Sequence, residues 1–241
     1  MQNVFARPWV LLTRNAIIVV PGIGAGALVG IVIALVTPKY DAAGYAHDPV
    51  NFAWLKVYAI GWVTLLGYIV TQAFTVGMAE AAWVRGTARL ADGAASFRKD
   101  AGRIVVTGAG LLALGTATLY ANAFTLALSS LAFVLFTLYA MPAAVIGNRP
   151  GFSSIAESFR ITSRRFMPTL MVANLIGVAY VAAAVIALSL HAVPVLGRAI
   201  AVIVTQFAVV FATLVIVGEY LNLRNLPEET DGRRGTVRTP S

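Results

Sequence analysis

The sequence is poor in cysteine and in charge. None of its 241 residues is cysteine, which excludes disulfide bridges and thiolate metal sites. Charged side chains make up only 12% of the chain, whereas a soluble domain carries about 25%. With 59% hydrophobic residues and a mean hydropathy of +0.81, the chain lacks the polar surface that a globule in water needs. We therefore expect lipid to solvate most of its apolar surface.

The chain is also poor in the groups that carry out catalysis. It has two histidines, His47 and His191, with Asp41 and Asp48 near the first. These side chains lack the spacing of known metal-binding motifs. The sequence contains no Gly-x-Ser-x-Gly elbow, no P-loop and no His-Glu-x-x-His helix. We therefore expect no enzyme activity, no bound metal and no cofactor.

What the chain has instead is six apolar stretches separated by polar clusters. A helix needs about 20 apolar residues to cross about 30 Å of hydrocarbon, and these runs lack the alternation of barrel strands. The run 104–147 is too long for one span, so we place a turn near Asn122 to Leu126. The sequence therefore predicts an all-α, polytopic transmembrane bundle of six helices in three hairpins over residues 1–222. The expected spans are about 16–36, 54–78, 104–122, 127–147, 168–190 and 198–221.

Lysine and arginine are distributed unevenly between the two sides of this bundle. Six spans put fifteen of the 18 on the side that holds both termini, and only Lys39, Lys56 and Arg198 on the other side. Positive residues concentrate on the cytoplasmic side of membrane proteins. We therefore predict a multi-pass protein of the bacterial cytoplasmic (inner) membrane with both termini in the cytoplasm. This pattern also explains the net charge of +8 without a nucleic-acid partner.

The two ends of the chain differ in character. The first apolar run is about 21 residues long, whereas the core of a signal peptide has about 7–15 residues, so we expect this run to stay as a span. Residues 223–241 are rich in Pro, Gly, Thr and charge and have little to bury. We therefore expect them to form a disordered cytoplasmic tail.

Two polar segments share a pattern. Residues 92–103 read DGAASFRKDAGR and residues 154–165 read SIAESFRITSRR, so Ser-Phe-Arg recurs 62 residues later, with a further arginine five positions on. Ser154 and Glu157 have the spacing of a capping box. The pattern predicts an internal repeat in which a short cytoplasmic helix precedes a transmembrane hairpin. Residues 7–15, RPWVLLTRN, are a candidate for a diverged first copy, although their spacing does not match.

The second copy is amphipathic. At helical spacing Ile155, Phe159, Thr162 and Phe166 fall on one face, with arginines on another. Such a helix can lie among lipid headgroups, with its aromatic rings at the acyl boundary and its arginines on phosphates. The alternative is that the arginines act only as topology signals beside packed aromatic rings. The residues that we expect to bind membrane lipids, anionic ones in particular, are Phe97, Arg98, Arg103, Phe159, Arg160, Arg164 and Arg165.

Two further sets of residues are expected at helix contacts. Gly22, Gly26 and Gly30 form a ridge of glycines four residues apart, which lets another helix approach closely. No βαβ unit surrounds these glycines, so they do not indicate a dinucleotide-binding loop. Gln72 and Gln206, each preceded by Ile-Val-Thr, are long polar side chains well inside predicted spans. We expect them to form hydrogen bonds between helices, with a substrate path as the alternative.

Residues 141–170, MPAAVIGNRPGFSSIAESFRITSRRFMPTL, carry a family resemblance. A span ends in proline and small residues, a turn follows, and a Ser- and Arg-bearing amphipathic helix leads into the next span. This order resembles six-span bacterial membrane families of unassigned function, and is similar to the membrane domain fused to some glycerophosphoryl diester phosphodiesterases. The catalytic barrel of those enzymes is missing, so the resemblance, which covers about residues 1–222, implies no hydrolase activity. The matching positions are Pro142, Ala143, Val145, Ser158 and Arg160.

These expectations combine into a predicted function. The centres of the predicted spans hold no ionisable residue, whereas pumps and transporters usually keep such residues inside the membrane. We therefore predict a non-enzymatic integral membrane protein that acts through lipids, a protein partner or its own copies, for example in envelope homeostasis. The alternative is a small-solute or lipid transporter that uses the helices carrying Gln72 and Gln206.

Overall fold

Helices make up almost all of the part of the chain that the structure describes. This computed structural model covers residues 2–36, 39–40, 46–47, 53–125, 128–149, 151–190 and 196–225. Apart from one pair of two-residue strands, these ranges are helices and short connections, which confirms the predicted all-α class. The helices are α1 (Gln2–Arg14), a 3₁₀ turn (Ala16–Val19), α2 (Val20–Val36), α3 (Ala53–Arg85), α4 (Leu90–Thr125), α5 (Leu128–Thr137), α6 (Ala140–Val145), α7 (Phe152–Arg164), α8 (Phe166–Leu190) and α9 (Leu196–Asn225). The strands β1 (Lys39–Tyr40) and β2 (Ala46–His47) pair antiparallel.

Several helices are suited to a membrane. Within the described ranges, α4, α5 continued by α6, α8 and α9 are long and apolar enough to cross a bilayer. α1 and α2, which are bent by 90° relative to each other, add a fifth candidate if they are counted as one span. Four to five such helices are compatible with a multi-pass membrane protein. The predicted span 54–78 lies in α3, where the side chains of residues 53–65 are outside the described residues, as are residues 226–241 of the predicted tail. Six spans in three hairpins therefore remain a prediction.

Three prolines in the described residues lie just after breaks between helices, whereas Pro8 lies inside α1. A proline has no N–H for the carbonyl four residues earlier, and its ring clashes with that carbonyl. Pro21, Pro142 and Pro168 each follow a break: the one between α1 and α2, the one between α5 and α6, and the one between α7 and α8. Residues 92–125 contain no proline, and α4 runs unbroken for 36 residues. The prediction that residues 92–103 form a separate short helix is therefore wrong.

The capping box predicted for α7 is also wrong. α7 begins at Phe152 after Gly151, so Ser154 is the third residue of the helix and not its N-cap. The Ser154 hydroxyl donates to the Gly151 carbonyl at 2.6 Å, and Glu157 pairs with Arg160 at 2.8 Å. Gly151 has a φ of 43°, a conformation that glycine adopts without steric cost. Gly151, and not Ser154, is therefore the N-cap residue of this helix.

Three helices lie at the centre of the molecule. α3, α6 and α9 contact one another, and the side chains of Val76, Ala79 and Val210 at this centre are fully buried. The Trp83 indole N–H donates to the Leu214 carbonyl at 2.8 Å, which joins α3 to α9. Most residues of α8, by contrast, are exposed. The apolar side chains of α8 therefore form outer surface, whereas those of α3 and α9 form the core.

Three segments lie directly before apolar helices: one before α2, one before the rest of α4 and one before α8. We call α1, residues 90–103 of α4, and α7 the pre-span segments. Residues 90–103 pack on α3, α7 packs on α5 and α6, and α1 packs on α9. Among the described helices α1 is the first and α9 the last, so the contact between α1 and α9 joins the two ends of the described fold.

Candidate functional site

α7 is attached to the rest of the molecule through a polar face. Its residues Ser154, Ser158 and Thr162 are fully buried. Ser158 accepts a hydrogen bond from the Tyr139 N–H at 3.0 Å, and Thr162 donates to the Leu135 carbonyl at 3.2 Å. In an unbroken helix that N–H and that carbonyl, four residues apart, would bind each other. The two hydroxyls thus bind backbone groups at the break between α5 and α6, where helical partners are lost.

Phe159 lies at the edge of this buried face. Its ring stacks on Phe136 of α5, with the ring centroids 5.0 Å apart, and 42% of the residue is exposed. Phe152, the first residue of α7, and Phe166, the first residue of α8, are also exposed, whereas Ile155 is buried. The structure therefore divides the predicted face: Ile155 and Thr162 are buried, whereas Phe159 and Phe166 are exposed. Ile155 belongs to the packed face, and the phenylalanines border the exposed one.

Three arginines cluster in the last part of α7 and directly after it. Arg160, Arg164 and Arg165 are all exposed, and Arg160 pairs with Glu157. They lie along the same short stretch as the exposed rings of Phe159 and its neighbours. This surface therefore combines positive charge with exposed aromatic rings, as a helix among anionic headgroups requires.

Arg103 differs from these arginines because its partners are protein groups. Its Nη1 donates to Asp100 Oδ1 at 2.6 Å and to Asn148 Oδ1 at 2.7 Å. Asp100 is only 2% exposed, so the guanidinium balances a buried carboxylate. On the same segment, Arg98 is exposed and Phe97 is partly buried against the hydrophobic core. Of these three predicted lipid-binding residues Arg98 is the most exposed, whereas the Arg103 side chain is 37% exposed and bound to protein groups.

The start of α4 is held closely against α3. A Cβ on Gly77 would lie 2.5 Å from Cβ of Ser96, so the glycine permits the two helices to approach at this point. At the first turn of α4, Asp92 pairs with Arg85 at 2.7 Å. This hydrogen bond from the Arg85 guanidinium is the main cause that lowers the pKa of the Asp92 carboxyl from its usual value. Residues 90–103 are thus held against α3 at two points, at Asp92 in the first turn and at Ser96 further along.

A polar cavity lies beside this segment. It has a volume of about 380 Å³ and is bounded by α3, α4 and the end of α6 with its following loop. Carboxylates and an ammonium group line it together with neutral polar groups, so it suits a small polar group better than an apolar one. The polar lining residues are Glu80, Ser96, Lys99, Asp100 and Asn148.

The residues predicted at helix contacts lie on three helices. Gln72 on α3 is buried and accepts a hydrogen bond from Thr213 on α9 at 3.4 Å. Gly22 on α2 is buried against the side chain of Gln206 on α9, and an added Cβ would overlap the Gln206 amide. Gly26 is half-buried, and the surroundings of Gly30 are outside the described residues. Both glutamines therefore lie where α9 meets another helix.

α1 makes contacts that sequence reasoning missed. Arg7 donates to the Trp83 carbonyl at 2.9 Å, and its guanidinium lies 4.7 Å from the centroid of the Trp83 ring. Asn15, directly after α1, donates to the Gly86 carbonyl at 3.2 Å and accepts from the Ala88 N–H at 2.9 Å. These partners are 71 to 76 residues away along the chain, so local spacing does not indicate them. The one local signal is Asn15 itself, a polar residue directly before the apolar run that begins at Ala16.

The described residues hold no group of three or more histidine, cysteine, aspartate or glutamate side chains that could bind a metal ion. Comparison with protein-family models, with curated proteins and with solved structures gives no match. The resemblance to phosphodiesterase-linked membrane domains therefore remains a prediction from the sequence.

Proposed function

We propose that this chain is a non-enzymatic membrane protein that binds anionic lipids at the cytoplasmic surface of the bilayer and acts there on lipid or protein partners. The observation that carries the proposal is the surface of α7, where Arg164 and Arg165 are exposed beside Phe159 and Phe166. Each arginine near an anionic membrane contributes about 1 kcal/mol of attraction, and aromatic rings fit the boundary between headgroups and acyl chains. Envelope homeostasis is the setting that we propose for this binding.

We propose six spans with both termini in the cytoplasm of a bacterial cell. The split of fifteen positive residues against three supports this orientation. The length of α3 supports the sixth span, since its 33 residues measure about 50 Å at about 1.5 Å per residue. This topology puts the pre-span segments at the cytoplasmic leaflet, whose surface is negative because of its anionic lipids.

We also propose that residues 92–103 and 154–165 are two copies of one unit. Ser96 packs against Gly77, and Ser158 binds Tyr139. The two serines are 62 residues apart, and so are their two partners. The likeness between the copies therefore extends from the sequence pattern to the contact, which supports a duplication.

A transporter that uses Gln72 and Gln206 receives less support. Gln72 binds Thr213, and Gln206 fills the space beside Gly22, so both amides lie between helices. Among the described residues, the lining of the polar cavity contains neither glutamine. This placement favours a packing role, because polar side chains commonly bridge helices in membranes.

The proposal is tested with two triple variants that remove the same amount of charge. The α7 variant replaces Arg160, Arg164 and Arg165 with Gln, and the tail variant replaces Arg233, Arg234 and Arg238 with Gln. Native mass spectrometry counts the phosphatidylglycerol that stays bound after extraction from mixed bilayers. We expect retention at least about tenfold weaker in the α7 variant, unchanged retention in the tail variant, and partial loss from wild type at high salt. Equal retention by wild type and the α7 variant would show that these arginines only set topology.

A further inference from the structure

α1 and α7 end in the same way. Each has 13 residues, and they end at Arg14 and Arg164. One residue then breaks the helix before the next one begins: Asn15 has φ −127° and ψ 51°, and Arg165 has φ −125° and ψ 47°. The two bends therefore share one backbone conformation, although their residues differ. In the sequence, the spacing of residues 7–15 does not match that of the Ser-Phe-Arg repeat. In the structure, the bend after α1 nevertheless matches the bend after α7.

Aligning these two bends, at an offset of 150 residues, also aligns the packed faces of the two helices. Pro8 falls on Ser158, and both are buried. Leu12 falls on Thr162, and both are at most 2% exposed. α1 thus presents the same positions to the protein as α7 does, with apolar side chains in place of hydroxyls.

The same alignment matches two exposed aromatic residues with each other. Trp9 falls on Phe159, and these residues are 61% and 42% exposed. Each contacts a phenylalanine of the helix on which its segment packs: Trp9 meets Phe211 of α9 at 6.4 Å between centroids, and Phe159 meets Phe136 of α5 at 5.0 Å. The ring that borders the exposed face of α7 therefore has a counterpart on α1.

A further contact relates α1 to the start of α4. Asn15 donates to the carbonyl of Gly86, and Arg103 donates to the side chain of Asn148. Gly86 and Asn148 are 62 residues apart and both have positive φ, 78° and 52°. In each case the end of one pre-span segment binds the loop that precedes the next one. α1 therefore occupies the first place in a series of three.

The exposed side of α1 has the composition of a membrane-surface helix. Trp9 and Val10 of α1 and Ile17 of the 3₁₀ turn that follows it are exposed apolar side chains, and Arg14 is exposed beside them. No acidic residue precedes Asp41 in the chain. Because α1 is bent by 90° from the helix that follows, it lies in the plane of the bilayer surface when α2 crosses the bilayer.

We propose that α1 is a second lipid-binding helix, in which Trp9 and Val10 insert among the headgroups and Arg14 binds the phosphate of an anionic phospholipid of the bilayer. This inference rests on the proposed function, which assigns lipid binding to α7. It adds a site in a part of the chain where the sequence shows no Ser-Phe-Arg pattern.

Two measurements test the proposal on the full chain in vesicles of phosphatidylcholine with and without phosphatidylglycerol. A spin label on Cys in Val10→Cys is expected at the boundary between headgroups and acyl chains; a label in water overturns the proposal. Arg14→Gln is expected to weaken phosphatidylglycerol retention about fivefold, whereas Arg14→Lys and the neighbouring control Thr13→Ala retain it as wild type does. Wild-type retention by a monodisperse Arg14→Gln variant also overturns it.

The α7 variant separates this inference from the proposed function. If the α7 variant loses bound lipid and Arg14→Gln does not, lipid binding by α1 is wrong and the proposed function stands. If Arg14→Gln loses lipid and the α7 variant does not, the assignment of lipid binding to α7 is wrong and the α1 site stands by itself.

Discussion

The indole nitrogen of Trp83 and the carbonyl of Leu214 are joined by a 2.8 Å hydrogen bond that crosses from α3 to α9. Gly218, four residues after Leu214, faces the same ring, and a Cβ at that position would overlap it. The guanidinium of Arg7 lies over the ring as well. One side chain therefore connects three helices, and its position depends on a glycine.

We predict that Gly218→Ala lowers stability more than Gly22→Ala, and that Gly24→Ala has little effect. The Trp83 ring is rigid and held in place, whereas the Gln206 amide beside Gly22 can turn aside; a Cβ on Gly24 meets nothing within 4 Å. We expect a loss of about 1–3 kcal/mol for Gly218→Ala, as for overpacking elsewhere. Thermal unfolding in detergent measures the three variants. Equal melting temperatures for Gly218→Ala and Gly24→Ala would contradict the prediction.

Arg103→Gln is predicted to destabilise the protein, because it leaves the buried Asp100 carboxylate without its guanidinium. Removal of one partner from a buried ion pair costs up to about 3–5 kcal/mol, and we expect the lower end because the Arg103 side chain is 37% exposed. Asp100→Asn in the same chain should restore part of the loss. If the double variant is as unstable as the sum of the two single variants, the two side chains are not coupled.

Ser158→Ala is predicted to loosen α7 from α5 and α6. The Tyr139 N–H would lose the acceptor that it has at 3.0 Å, and an unsatisfied buried donor costs about 1–3 kcal/mol. Ser163→Ala, on an exposed position of the same helix, is the matched control. Hydrogen exchange reports on the Tyr139 amide directly: its protection should fall in Ser158→Ala and not in Ser163→Ala. Unchanged protection in both would exclude this role for the hydroxyl.

The proposed topology predicts which added cysteines react from outside the cell. The chain has no cysteine of its own, so single cysteines in Ala46→Cys and Gly232→Cys report without background. An impermeant thiol reagent on intact spheroplasts should label Ala46→Cys, and should reach Gly232→Cys only after permeabilisation. Label on Gly232→Cys in intact cells, with Ala46→Cys protected, would reverse the orientation.

The helices could be predicted because the features that specify them are local. An apolar run of sufficient length indicates a helix wherever lipid is the solvent, and a proline such as Pro168 indicates where one helix stops. The error at residues 92–103 arose from treating two similar motifs as two similar helices. Pro168 lies shortly after the second motif, and α7 ends before it. No proline follows the first motif before Thr125, so α4 continues beyond the equivalent point.

The contacts at the candidate site could be predicted only in part, because their partners are distant in sequence. Exposed arginines such as Arg164 follow from composition and topology. The role of Arg103 does not, since it depends on Asn148, 45 residues away. The role of Ser158 depends on a break near Tyr139 that must form before the hydroxyl has anything to bind.

The contact between α1 and α9 has a consequence for the synthesis of the protein. Trp9 and Phe211 meet across 202 residues of chain, which a ribosome makes in about 10–40 s at about 5–20 residues per second. During that interval α1 has emerged and its packing partner does not yet exist. If α1 binds lipid as proposed, the bilayer surface covers its apolar side chains during that interval, so α1 is anchored by lipid before it is anchored by α9.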